Sequence, residues 1–222
     1  MNDTCAPWYR QAGTAIFSQV WLKALGIPLL IGVFFAAYFY LLRNPAYPIT
    51  VMPLTALDRL IGFQPLALPL YLSIWVYVSL PPALLTTRRG LKVYAIDIGL
   101  TCLSGLLVFY FCPNTVPVGD IDWALSPTVG LLKNLDAAGN ACPSLHVATA
   151  AFSCLWIGHL LRRIGTPRWV LTLNWMWFVG ICYSTLATRQ HVVIDVVAGL
   201  ALGLVAGWLS LRLRRDGHAQ DV

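Results

Sequence analysis

The chain has 222 residues, of which 58% are hydrophobic and 11% charged, against roughly 45–50% and about 25% in soluble domains. Its acidic residues are all Asp, its net charge is +6 and its mean hydropathy is +0.70. This composition excludes an ordinary soluble enzyme, a disordered chain and a disulfide-dense secreted module. The basic residues lie in short clusters between apolar runs, so the positive charge points to membrane lipids as partners and not to nucleic acid.

In chain order, the first 20 residues carry Trp8, Tyr9 and Phe17 and read as an interfacial segment. Six apolar runs follow, at 22–42, 66–86, 92–111, 144–161, 169–187 and 191–211. Each approaches or exceeds the length of about 20 residues that spans a bilayer. They lack period-2 alternation, so they predict helices and not barrel strands. The first run starts too late, and lacks the small-residue cleavage site, for a removed signal peptide. Between the first two runs, Pro45, Pro48 and Pro53 precede a short helix-like stretch, Thr55–Phe63, which reads as an interfacial shelf. Pro81 and Pro82 mark the inner end of the second run. There is no internal repeat, and no loop is long enough for a second domain. The expected architecture is all-α: one membrane-embedded domain over residues 1–222, an integral bundle of six transmembrane helices.

Lys and Arg accumulate in cytoplasmic loops. One set of connections holds Arg10, Lys23, Arg88, Arg89, Lys92, Arg162, Arg163, Arg168, Arg212, Arg214 and Arg215; the other holds Arg43, Arg59, Lys133 and Arg189. Both termini are therefore expected in the cytoplasm, with loops 43–65, 112–143 and 188–190 outside. The inner clusters suit anionic lipid heads. The minimal chain points to a bacterial inner membrane, with any site at the outer ends facing the periplasm.

Ionisable groups inside spans are costly and point to function. Asp97 and His159 lie near inner ends and read as structural pairings. His146, His191 and Asp195 all lie at outer ends. His191 and Asp195 are four residues apart, which places them on one helix face. The carboxylate there accepts from one imidazole nitrogen and leaves the other as nucleophile or base. His146 follows Cys142-Pro143-Ser144-Leu145, a helix start whose free N–H groups and Ser144 hydroxyl suit an anion. Two imidazoles, a carboxylate and a helix N-terminus suit phosphoryl transfer, one histidine attacking phosphorus and the other protonating the leaving oxygen. The competing constellation is zinc held by the two histidines and Asp195. No further ligand is placed to complete it, so neither metal nor cofactor is expected.

The six cysteines have no ligand spacing. Cys102, Cys154 and Cys182 read as packing residues, and Cys5 as a cytoplasmic thiol. Cys112 and Cys142 flank the outer connection between the third and fourth runs, and a disulfide between them would tether the helix start for roughly 3–4 kcal/mol. Trp175 and Trp177 read as packing residues, with the lining of a lipid groove as the alternative.

Pro143-Ser144-Leu145-His146, followed by Ser184-Thr185-Leu186-Ala187-Thr188-Arg189-Gln190-His191-Val192-Val193-Ile194-Asp195, resembles the second and third motifs of the type 2 phosphatidic acid phosphatase family. Those motifs are Pro-Ser-Gly-His, and Ser-Arg, five residues, His, three residues, Asp. Leu145 stands for the family's glycine and Thr185 for its arginine. Both changes, with Ala198-Gly199 beyond, resemble the branch that contains inositol phosphorylceramide synthases. The first motif, lysine, six residues, Arg-Pro, is not found. Pro113-Asn114-Thr115-Val116-Pro117-Val118 resembles a branch version of it, with Val118 where arginine is expected.

The resemblance implies that His191 forms a phosphohistidine, that Asp195 orients it, and that His146 is general acid and then base. It implies that Ser144 and Ser184 help hold the substrate, without metal. The missing cation would come from Lys133 or Arg189, with Arg59 next. The implied activity is a lipid phosphate or pyrophosphate phosphatase. A lipid phosphotransferase remains open, because the steps before the acceptor are the same, and so does a non-catalytic membrane protein or transporter. Oligomeric state is not legible.

Overall fold

The computed structural model of the chain describes residues 6–117 and 139–213. An amphipathic helix α1 (Trp8–Phe17) precedes α2 (Val20–Arg43), with Gln19 between them in the left-handed region at φ 49°. The shelf holds strand β1 (Thr50–Val51) and helix α3 (Ala56–Ile61). Thr55 caps α3 by accepting the Asp58 N–H, while the Asp58 carboxylate accepts the Thr55 N–H at 2.7 Å, a capping box.

The second apolar run is broken. A 3-10 turn (Pro65–Ala67) leads into α4 (Leu68–Leu72), which ends at Ser73, and α5 (Ile74–Leu84) resumes from there. The Ser73 hydroxyl donates to the Leu70 carbonyl and accepts the Trp177 indole N–H at 2.8 Å, so a residue of the fifth run pins the break. Pro81 and Pro82 sit in the last turn of α5. The chain continues through α6 (Arg88–Phe111), strand β2 (Asn114–Thr115), α7 (Leu145–Arg163), α8 (Arg168–Ala187) and α9 (Val193–Leu213).

All six runs therefore fold as helices. Among the described residues, five segments are long and apolar enough to cross a membrane: α2, Pro65–Leu84, α6, α8 and α9. The protein is a multi-pass membrane protein. The other run forms α7, the most enclosed helix, with core contacts to α5 and α8 on one side and α6 on another. A helix surrounded by protein has no lipid to satisfy, which is why α7 carries His146, Thr149, Ser153 and His159 among its apolar residues.

The closest packing is between α7 and α9. Gly199, Gly203 and Gly207 form one stripe of α9 at four-residue spacing. A Cβ on Gly199 would run into the Ser144 carbonyl, and one on Gly203 into the Ala148 carbonyl and Ala151. The missing side chains let the two backbones touch. By contrast α2 stands at the edge, with Lys23 and Tyr38 its buried residues.

Several polar residues have structural partners. The Ser210 hydroxyl donates to Asp97 at 2.6 Å and accepts from the Trp156 indole, whose ring meets His159. Lys23, grouped above with lipid-facing cations, is instead buried. Its Nζ donates to the Ala15 and Ala83 carbonyls at 2.6 and 2.8 Å, satisfying the C-terminal ends of α1 and α5.

The Cys112–Cys142 disulfide is not formed; both are free thiols. Asn114 makes the tether instead. Its amide nitrogen donates to the Cys112 and Cys142 carbonyls at 2.9 and 2.8 Å, and its oxygen accepts the Ala141 and Cys142 N–H groups at 2.8 and 2.6 Å. The two loops are further joined by parallel pairing of β1 with β2, Thr50 opposite Asn114 and Val51 opposite Thr115.

Two outcomes follow for this packing. Gly203→Val should lower thermal stability in detergent by about 1–3 kcal/mol, the usual cost of overpacking; an unchanged melting point would mean that α7 and α9 are not in backbone contact. Burial and then the Asp195 charge push the Cys142 thiol up to about 11. Only the thiolate alkylates, so at pH 8 iodoacetamide should modify exposed Cys112 well before Cys142, and Cys142 should catch up as pH approaches 11. Two unreactive cysteines, released by reductant, would restore the disulfide.

Candidate active site

The turn that ends α8 and starts α9 is built around Thr185. Its carbonyl accepts the N–H groups of both Gln190 and His191, while Arg189 takes φ 56°. His191 therefore stands in this turn, two residues before α9, and not on the helix face with Asp195. Asp195 compensates by reaching back. Its Oδ2 accepts the Val192 N–H at 3.0 Å and lies 3.6 Å from His191 Nδ1. Asp195 is fully buried and His191 is 5% exposed. Asp195 Oδ1, His191 Nδ1 and the Gln190 side-chain nitrogen have no hydrogen-bond partner among the described residues.

His146 occupies the first turn of α7. Ser144 is the N-cap, its hydroxyl accepting the Val147 N–H at 3.3 Å, and its own N–H donates to the Asp195 carbonyl at 3.0 Å. That last bond locks the starts of α7 and α9 together. It brings His146 Nδ1 to 3.4 Å from His191 Nε2. His146 Nε2 faces the other way, 2.8 Å from the Tyr71 hydroxyl, with the Trp75 ring edge-on to the imidazole.

The two helix starts are used differently. At α9 two carboxylates take the N–H groups: Asp195 that of Val192, and Asp58 that of Val193 at 2.9 Å. Asp58, 3% exposed, thus ties the shelf to the site. The Gln64 N–H does the same at the end of α8, donating to the Ala187 carbonyl at 2.7 Å. At α7 the hydroxyl of Ser144 takes one N–H, and the first turn presents its others without intrahelical partners.

The other expected substrate-binding residues are placed less directly. Ser184 stays within its own helix: its hydroxyl donates to the Ile181 carbonyl at 2.7 Å, and it is fully buried. Arg189 is half-buried in the turn before His191, and Arg59 is exposed on α3 beside Asp58. Lys133 and Val118 lie outside the described residues. Among the described residues no group of three His, Cys, Asp or Glu is arranged around a metal position.

A cavity of about 510 Å³ opens from the histidine pair into the apolar body of the bundle. It lies between α2, α4, α5, α6 and α7, with Phe34, Trp75 and Leu103 among its walls and His146 and His191 among its polar lining. Trp175 and Trp177 do not line it. Tyr71, Trp75 and Asp58 were not singled out in the sequence. Only Asp58 left a signal there, as the fourth residue of Thr55-Ala56-Leu57-Asp58, a capping-box pattern.

Searches of curated proteins and of solved structures found no match. The family model of the PAP2 superfamily matches residues 91–218. The matched stretch begins near the start of α6 and includes Ser144, His146, His191 and Asp195, while Asp58, Tyr71 and Trp75 precede it. It spans more than half of the sequence, and the chain belongs to the PAP2 superfamily, whose members are phosphoesterases and phosphotransferases.

Proposed function

We propose that this protein is a lipid phosphate or pyrophosphate phosphatase that works through a phosphohistidine at the outer face of a bacterial inner membrane. The observation that carries the reading is the 3.4 Å approach of His191 Nε2 to His146 Nδ1 at the head of an apolar cavity. A polar reacting pair above an apolar chamber matches a molecule with a phosphate head and hydrocarbon tails. The outward orientation rests on the distribution of Arg and Lys.

The phosphoryl group parts the two nitrogens. Asp195 holds the proton on His191 Nδ1, so that Nε2 presents a lone pair to phosphorus. The N–P bond forms as the P–O bond breaks, and the leaving oxygen takes the proton of His146 Nδ1–H. Water then attacks phosphorus, gives its proton to His146 Nδ1, and returns the bonding pair to His191 Nε2. The first N–H groups of α7, with Arg189, Lys133 or Arg59, hold the equatorial oxygens. No step in this sequence uses a metal.

Purified protein in detergent, given labelled diacylglycerol phosphate and isoprenyl diphosphate, should release inorganic phosphate. Label passing to an added alcohol would make it a transferase, and no product from either would favour a non-catalytic membrane protein. His191→Ala and His146→Ala should each lower turnover by at least about 10²-fold, with unchanged melting points. Retained turnover in either variant would remove that histidine from the scheme. EDTA should leave the rate unaltered; inhibition reversed by zinc would support the metal reading instead.

A further inference from the structure

We propose that Tyr71 is a positioning residue that assigns His146 its working nitrogen, holding Nε2 so that only Nδ1 exchanges protons with the reacting group. The inference rests on the phosphohistidine reading above. It is carried by the geometry of a residue outside the stretch that matches the family.

His146 has two ring nitrogens in two different environments. Nδ1 faces His191 Nε2 at 3.4 Å, and Nε2 faces the Tyr71 hydroxyl at 2.8 Å. The tyrosine is 3% exposed and its ring lies against the imidazole, centroids 5.1 Å apart. Trp75, one turn along the chain, closes the same side edge-on at 6.4 Å. The imidazole therefore has little freedom to flip; Tyr71 comes from α4 and Trp75 from α5, on either side of the break at Ser73.

A phenol suits this position better than a carboxylate. A hydroxyl both donates and accepts, whereas an ionised carboxylate only accepts. The Asp195 carboxylate, 3.6 Å from His191 Nδ1, favours the proton on that nitrogen by its charge, so His191 Nε2 is the acceptor and His146 Nδ1 beside it is the N–H. In neutral His146, Nε2 then accepts from the Tyr71 O–H. When His146 is protonated, Nε2–H donates to the Tyr71 oxygen instead. After Nδ1 gives its proton to the leaving oxygen, the proton on Nε2 stays with Tyr71. The Nδ1 lone pair then takes the proton of the attacking water. The same nitrogen gives and takes, and Tyr71 remains bonded to Nε2 throughout. A carboxylate in its place would hold the imidazolium too firmly for it to act as an acid.

The test uses the full chain in detergent and the variant Tyr71→Phe, which loses only the hydroxyl. Nitrogen NMR of ¹⁵N-histidine protein reads the tautomer without turnover. Wild-type neutral His146 should carry its proton on Nδ1, and Tyr71→Phe should relax towards the Nε2–H form. In kinetics, Tyr71→Phe should lower kcat on an alkyl phosphate about 10- to 100-fold, within the range set by general acid–base catalysis, with KM little changed. On p-nitrophenyl phosphate, whose leaving group needs no proton, the variant should stay within a few-fold of wild type, because its Nδ1 lone pair still takes the proton of the attacking water. The inference is overturned if wild-type His146 is already the Nε2–H tautomer, if the variant leaves its tautomer unchanged, or if both esters slow equally. A tautomer shift in a protein that hydrolyses none of these esters would uphold the Tyr71 assignment and sink the phosphatase reading alone.

Discussion

The contact on which the site depends is made by atoms that are missing. With no side chain at Gly199 or Gly203, α9 lies directly on the backbone of α7. At the upper end of this seam the Ser144 N–H bonds the Asp195 carbonyl. Two helix starts are thereby held side by side, and His146, in the first turn of α7, is brought to His191, two residues before α9. Lipid tails are as apolar as leucine, so in a bilayer such close contact must come from shape and not from hydrophobic exclusion. A methyl group at either glycine would press on a carbonyl of α7, and the imidazoles would separate with the helices.

The polar chemistry of the bundle is concentrated where lipid is excluded. Tyr77 donates to Asn174 at 2.7 Å, and Asn174 donates to the Cys154 carbonyl. Together they link α5, α8 and α7 across the middle of the core. Ser210 joins α9 to Asp97 on α6 and Trp156 on α7. Lys23 donates to carbonyls at the ends of two helices, Ala15 of α1 and Ala83 of α5. Each is a partner for a group that hydrocarbon cannot solvate. The outer faces of α2, α8 and α9 carry large apolar residues such as Leu25, Trp175 and Val197.

Much of this was legible in the sequence, because hydrophobic length is a local property. Every apolar run became a helix, and the Thr55–Phe63 stretch became α3 with its cap. The nearness of His191 to Asp195 was legible from their four-residue spacing, although a turn and not a shared helix face brings it about, and both lie beside His146. What stayed hidden was non-local. The Tyr71–His146 bond spans 75 positions and the Asp58–Val193 bond spans 135, and no periodicity encodes either. The break at Ser73 was invisible because Leu68 to Leu84 is apolar on both sides of it. The proposed disulfide failed for an instructive reason: a tether was needed between residues 112 and 142, and a buried amide supplied it with four hydrogen bonds. The contact of the α9 glycines with α7 is likewise non-local.

The placement of α2 completes the argument. It carries little of the core, yet it forms one wall of the cavity, along Leu30–Phe39, some 14 Å of helix at 1.5 Å per residue. Tyr38 of α2 packs with Leu106 and Phe109 of α6 and with Leu145 and Ala148 of α7. Beside that contact lies an apolar chamber whose upper end is polar, complementary to an amphipathic phosphate ester. Under the proposed function, tail binding and phosphate chemistry then fall to separate parts. The chamber walls come from α2, α4, α5, α6 and α7, while Asp195 and the nucleophile come from α9 and the turn before it. His146, His191 and Tyr71 belong to both parts, since each lines the chamber and each belongs to the reacting pair or touches it. A change in the chamber that moves Tyr71 would therefore reach the proton-transfer step without altering any residue of the His191–Asp195 turn.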